Sequence, residues 1–509
     1  MTSTRNQRPA IWCAVIVCAY SLAPAATIAL GDTGSIPRDA IQWQPTEWTV
    51  SHPGDVANPF DVQAQVVFEH GESGERRVTE MFTTGDDGWR FRFTGTRPGL
   101  WTYRSESDVD ALNDVAGSIR VEPNPHGVGF VTHVGSKWAR QVGVDGRLEA
   151  FVPQYVMYDT PDAYHDDPSK IDRDIQTFMV EHGFTGFHTY VFARWFDIDR
   201  ERTEDMSADP NPDPRTFEAL ELLIQKVHAA GGVAHLWVWG DESRRQTPIK
   251  WGINGTVDKR LQRYIAARLG PLPGWTMGYG YDLWEWVEGA ELSEWHATMQ
   301  SLMGWSHMLG ARSTKNTREQ LSEDLIYASY EQHRPDYDTY VRTIRARPEK
   351  PSFSEDRFRI RPNSRYPEKD YDEERTRRGL WHSAMAGGVA NIWGNLVDGA
   401  GSEPYSHPEW FRTYATFLDD RFTADLAPAP ESVDDGYALR SADGGRYLFY
   451  LEDTDTLTVD LSGMKRPARA FAVDAVATYA ERDLGVLSPG RHTLTLGASS
   501  DWAIAVGYR

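Results

Sequence analysis

The sequence predicts a multidomain chain in which a central (β/α)8 TIM barrel is flanked by an N-terminal and a C-terminal antiparallel β-sandwich. Three observations predict it. The hydrophobic period is two from Ile41 to about Val121. After Pro123-Asn124-Pro125 it gives way to short apolar runs alternating with helix-spaced stripes, and after Pro428-Ala429-Pro430 it returns to two. A chain of 509 residues is also too long for one core, since domains run to roughly 100–200 residues. The expected boundaries are 1–30 for a signal peptide, 36–123 for the first sandwich, 126–424 for the barrel and 428–509 for the second sandwich.

The leading segment has the composition of a targeting signal. Arg5 and Arg8 give a positive start, Ile11 to Leu22 is a short apolar run, and Ala23-Pro24-Ala25 supplies the small residues of a cleavage site. The run is too short for a comfortable bilayer span, so no stable membrane insertion is expected after cleavage. Cys13 and Cys18, the only cysteines, lie within it. The rest of the chain then has no disulfide and no thiol nucleophile, which fits a bacterial secreted or periplasmic protein. With 53 Lys and Arg against 74 Asp and Glu, the charge balance excludes a nucleic-acid partner.

In the first domain Trp89, Phe91 and Phe93 alternate with Arg90, Arg92 and Thr94, and after the Pro98-Gly99 turn Trp101 and Tyr103 alternate with Thr102 and Arg104. The barrel strands are expected at Phe151–Tyr158, Phe184–Phe192, Val233–Trp239, Trp275–Gly278, His307–Ala311, Leu325–Tyr330, Pro351–Ser354 and Val389–Trp393. Between them lie helical stripes. The second is the clearest, with Asp213 as its cap, Pro214 at its first position, and Phe217, Leu220, Ile224 and Val227 on one face. Short strands such as Arg446–Leu451 and Trp502–Val506 make the last domain.

Side chains at the carboxyl ends of barrel strands build the active face of this fold. Strand seven delivers Glu355 there, and strand four runs through Gly278-Tyr279-Gly280 to Asp282 and Glu285. Breaking a glycosidic bond takes such a pair, one acid to protonate the leaving oxygen and one carboxylate to attack or to activate water. Asp282, nearer the strand tip, is favoured as the acid, with Glu285 as its alternative or partner. Asp356 is expected to be a structural acceptor pointing away from Glu355.

Other strand ends carry candidate substrate-binding groups: His188 and Arg194 after strand two, Trp239 and Asp241 from strand three, Tyr330 and His333 from strand six, and Asn391 and Trp393 from strand eight. Trp239 and Trp393 are candidate platforms for sugar stacking, weighed against core packing. Arg357 opens a series with Arg359, Arg361 and Arg365 that would hold a substrate carboxylate or sulfate, or pair with Glu368, Asp370, Asp372 and Glu373; the ion pairing is the simpler expectation. The histidines show no HxH or HxxxH spacing, and no G-x-S-x-G elbow, P-loop or dinucleotide fingerprint occurs, so neither metal nor cofactor is expected.

Asn58-Pro59-Phe60 and the hairpin Trp89-Arg90-Phe91-Arg92-Phe93 to Trp101-Thr102-Tyr103 resemble a domain of unknown function found ahead of glycosidase barrels. The barrel and tail resemble the apiosidase-like glycosidases, whose C-terminal sandwich is labelled collagen-binding, and Asp501-Trp502-Ala503-Ile504-Ala505-Val506 matches the ending of that domain. Of the family's Gly-Asp-Thr opening only Asp159-Thr160 remains, and Gly280-Tyr281-Asp282 stands in place of Gly-Gly-Asp. The resemblance implies an exported glycoside hydrolase acting on a polysaccharide or oligosaccharide, with retention, Glu355 as nucleophile and the strand-four acid as acid/base. It carries over the reaction class, not the sugar. The alternatives are a non-catalytic carbohydrate-binding or adhesion protein, and a polysaccharide lyase acting on an acidic glycan.

Overall fold

The structure, a computed structural model, describes residues 26–28, 38–50, 56–85, 88–313, 325–330, 332, 334–358, 371–394 and 404–508, without the side chains of 26–28 and 356–358. The N-terminal region forms two sheets. One has the order Ala26–Ile28, Pro45–Val50, Trp89–Thr94, Phe82–Thr83, and the other Arg38–Ile41, Ala116–Glu122, Gly99–Ser107, Ala64–His70, Arg76–Glu80. Their alternating aromatics share one core, with Phe68 stacked on Phe93 at 4.2 Å and Trp48 on Phe91 at 5.0 Å. The sheets are not purely antiparallel. The edge strands Ala26–Ile28 and Arg38–Ile41 pair in parallel with Pro45–Val50 and Ala116–Glu122.

Eight parallel strands close into a barrel: β1 (Gln154–Met157), β2 (Gly186–Tyr190), β3 (Val233–Trp239), β4 (Trp275–Gly280), β5 (Met308–Ala311), β6 (Tyr327–Tyr330), β7 (Ser352–Phe358) and β8 (Ala390–Trp393), with β8 paired back to β1. The helix Pro214–Ala229 follows β2 with Asp213 capping it through a 3.0 Å bond from the Arg215 amide, as its sequence predicts. The helices Thr256–Leu269, Gly289–Leu302, Tyr337–Ala346, Glu373–Met385 and Pro408–Leu418 follow β3, β4, β6, β7 and β8. After β1 two short helices lead into a π-helical stretch, Ile175–Glu181.

One element was not anticipated. Val128–Val134, Lys137–Val142 and Arg147–Ala150 make a three-stranded sheet before the barrel. Its Trp138 plugs the amino end of the barrel, donating from Nε1 to the Ser352 carbonyl at 3.0 Å and packing on Tyr327 and Phe353.

The C-terminal strands all belong to one six-stranded antiparallel sheet rather than to two, ordered Leu426–Pro428, Tyr437–Ser441, Tyr447–Asp460, Arg491–Val506, Ala468–Asp474, Arg482–Leu487. Register shifts between Leu451 and Thr456 break the two long strands into the shorter runs that the sequence suggests.

Both flanking regions are tied to the barrel by buried charge. Glu221 on the helix Pro214–Ala229 accepts from Arg92 of the N-terminal region and from Arg268 of the helix Thr256–Leu269. Asp501 of the C-terminal sheet accepts from Arg377 at 2.6 Å and Arg378 at 2.9 Å on the helix Glu373–Met385, beside a Trp381–Tyr450 ring stack.

Candidate active site

Barrel strands are buried on both faces, so alternate residues point into the interior and outward to the helices. The inward set includes Tyr155, His188, His235, Trp237, Gly278, Tyr327, Phe353 and Glu355, which touch one another across the barrel. Glu355 reaches it at an irregularity in the pairing. Ser354 pairs with Asn391 and Arg357 with Ile392, so Glu355 and Asp356 bulge out of the ladder. Bulges of this kind re-aim side chains and are common beside active sites.

Glu355 is 0% exposed. Its Oε1 accepts from the Tyr327 hydroxyl at 2.6 Å and lies 3.1 Å from His235 Nε2, which is itself 3.2 Å from that hydroxyl. Its Oε2 is buried with no hydrogen-bond partner among the described residues, and so is the Nε1 of Trp237. The Glu355 and Trp237 side chains flank one point on β4. A Cβ at Gly278 would stand 2.7 Å from Glu355 Oε1 and 3.1 Å from Trp237 Nε1, so only glycine leaves room there. Burial pushes the Glu355 carboxyl up, but the hydrogen bonds from His235 and Tyr327 outweigh it and hold the group below its usual range. Tyr327 is held well above the usual phenol range by burial and by the Glu355 charge, so it remains a donor.

At the mouth, Asp282 takes the left-handed conformation at φ 52°, strain of the kind found at functional sites, and accepts from Arg312 Nη2 at 2.9 Å. Arg312, just after β5, also donates from Nη1 to the Glu355 carbonyl at 3.0 Å and lies over the rings of Trp237 and Tyr281. One guanidinium therefore bridges the loops of the two predicted carboxylates. Glu285 sits in the short helical turn Leu283–Glu285. Burial and the negative charges of Asp241 and Asp282 push its carboxyl up to about 7. Asp241, at the end of β3, hydrogen-bonds Glu285, accepts from the Ser243 amide at 2.6 Å and faces Arg244 at 3.4 Å. Of the two strand-four carboxylates, Glu285 is the one whose surroundings push it up, while Asp282 is held in an ion pair with Arg312.

His188 lies inside the barrel, its Nδ1 2.7 Å from His235 Nδ1. Several predicted groups are not brought to this point. Arg194 is ion-paired with Asp162 at 2.7 Å. Tyr330 points to the Thr343 carbonyl. Asn391 is buried between Tyr340 and Gln154. Trp239 and Trp393 are each 0% exposed and pack among helices, Trp393 donating to Gln154 at 2.6 Å, so neither presents a ring face for stacking. Arg357 is placed by its backbone only; its side chain, His333 and the rest of the arginine series lie outside the described residues. His235, Trp237, Tyr327 and Arg312 were not among the predicted site residues. A cleft of about 610 Å³ opens at the barrel's other end, beside Phe151, Gly183 and Asp419, and contains none of these groups.

A family model described as a domain of unknown function (DUF5060) matches residues 39–108. No curated protein matches the chain. Among solved structures, one provisionally described as a glycoside hydrolase from Bacteroides vulgatus superposes with a TM-score of 0.69 at 16% identity, covering 92% of this chain and 100% of that one. A family 5 glycoside hydrolase from the same organism gives a TM-score of 0.53 at 14% identity over 74% of this chain and 92% of its own. At such identities the likeness is one of fold, and the fold is that of a barrel with additional β domains.

Proposed function

We propose that the chain is an exported glycoside hydrolase that cleaves glycosidic bonds in a polysaccharide by a two-carboxylate mechanism with retention. The observation that carries this reading is the placement of Glu355: a fully buried carboxylate at the end of β7, oriented through one oxygen by Tyr327 and His235, with the other oxygen lacking a hydrogen-bond partner among the described residues. Buried polar atoms are almost always paired in a finished core, and unpaired ones concentrate where a ligand completes them. Glu355 Oε2 attacks the anomeric carbon while Glu285 gives its proton to the leaving oxygen. Glu285 then takes a proton from water, whose oxygen displaces Glu355. The glycoside hydrolase descriptions of the superposed structures and the apiosidase-like motifs support the same class. The N-terminal arginines and apolar run support export.

The test is a panel of plant, algal and bacterial polysaccharides with Glu355→Gln as control, the anomer of the first product being read by NMR. Turnover that survives Glu355→Gln would remove the reading, and an inverted first product would remove retention. A second reading, glycan binding without turnover, is favoured by the full burial of Glu355 behind the Arg312–Asp282 pair. It predicts affinity for a glycan that Glu355→Gln leaves intact, with no product formed.

A further inference from the structure

His188 and His235 stand on adjacent strands, inside the barrel and wholly buried, with their rings 4.9 Å apart. The contact runs from Nδ1 to Nδ1 at 2.7 Å. Two imidazole nitrogens can approach so closely only with one proton between them, because two lone pairs or two N–H groups would repel. The other end of His235 is also committed. Its Nε2 lies between Glu355 Oε1 and the Tyr327 hydroxyl. Tyr327 already gives its only proton to Glu355, so both atoms facing Nε2 are acceptors and the ring must donate there.

With His235 neutral, a proton on Nε2 leaves Nδ1 as an acceptor, and the shared proton then belongs to His188. We propose that His188 is a positioning residue for the reaction, its Nδ1–H holding His235 in the tautomer that donates from Nε2 to Glu355 and so leaves the opposite carboxylate oxygen facing the substrate. This rests on the reading of Glu355 as nucleophile, but the protonation pattern itself does not. Other charged or titratable groups near the pair, among the described residues, include Tyr155 on β1, whose ring packs on His235, and Arg312 after β5, which holds the Glu355 carbonyl. β4 faces the pair with Thr276 and Gly278, which carry no charge. Trp237 packs edge-on against His188 at 4.3 Å and fixes its plane.

The experiment uses the full chain with isotope-labelled histidine, and long-range nitrogen–proton NMR spectra that distinguish the two tautomers. The wild type is expected to show His235 protonated at Nε2 and His188 at Nδ1. His188→Phe should release His235 into a mixture of tautomers and lower kcat about 10- to 100-fold with KM unchanged, the loss typical of an orienting partner one contact removed from the reacting group. His188→Asn, whose side-chain amide nitrogen occupies the position of the imidazole Nδ1 and can still donate to His235 Nδ1, should restore most of both. A wild-type His235 protonated at Nδ1 alone, or a His188→Phe protein with unchanged tautomer, would overturn the proposal. If His188→Phe fails to fold, the wild-type and His188→Asn spectra still decide it. If no glycan is cleaved, the glycosidase reading falls while the tautomer result stands on its own.

Discussion

Two glutamates are buried in this molecule with opposite outcomes. Glu221 lies between two arginines from different parts of the chain. Arg92 reaches both of its oxygens, Arg268 reaches one, and both guanidiniums stack over the Phe82 ring. Although burial raises its carboxyl, the two cations bring it down to about 2. Glu355 is buried as deeply but has a histidine and a tyrosine on one oxygen and, among the described residues, no hydrogen-bond partner on the other. Complete pairing makes a carboxylate into a staple with no capacity left over. Incomplete pairing in a dry site costs stability, and the proposed role of Glu355 as nucleophile would account for that cost.

Exchanging the roles gives the sharpest tests. Glu355→Gln should lower kcat by about 10⁴-fold or more while leaving the melting temperature the same or higher, because it removes the reactive oxygen along with an incompletely paired buried charge. A parallel loss of fold and activity would place Glu355 with the staples. Glu221→Gln should do the reverse. It strands Arg92 and Arg268, costing about 3–5 kcal/mol in urea denaturation, and leaves kcat per folded molecule intact.

Tyr327→Phe removes a hydrogen bond to a charged group and should cost about 1.5–3 kcal/mol of transition-state stabilisation, read from kcat/KM. The bond lowers the Glu355 pKa, so its loss should also move the acidic limb of the pH profile upward. The smallest effect belongs to the acid. Glu285 must hold its proton, so activity should fall as pH rises through about 7. Asp241→Asn, by removing a negative neighbour, should move that basic limb downward. For Glu221 the sign runs the other way in stability. Its folded pKa of about 2 lies below the ordinary 4.5, so its contribution is present above 4.5 and is lost as pH falls from there toward 2.

The architecture was legible because the hydrophobic period changes at two proline-rich breaks, and the place of Glu355 on strand seven was legible because the apolar run ends on it. The interior was not. A strand covered on both faces is apolar at every position, so Val233–Trp239 carries no alternation to say that His235 and Trp237 face inward while Trp239 faces the helices. Trp393 misled for the same reason. The choice of Asp282 over Glu285 followed distance along the chain, whereas Arg312, thirty residues later, takes Asp282 as its partner. Contacts between distant parts of the chain leave no local pattern to find.

The seam that Pro123-Asn124-Pro125 marks in the chain is not a seam in the free energy. Arg92 finds its carboxylate on one barrel helix, its carbonyl partner at the end of the next, and the Glu47 carboxylate at home. A graft of the leading region onto a foreign scaffold would leave the Arg92 cation with Glu47 alone, and a barrel trimmed of it would bare Glu221 and Arg268 to water. Anyone cutting this protein into modules should expect the pieces to miss each other.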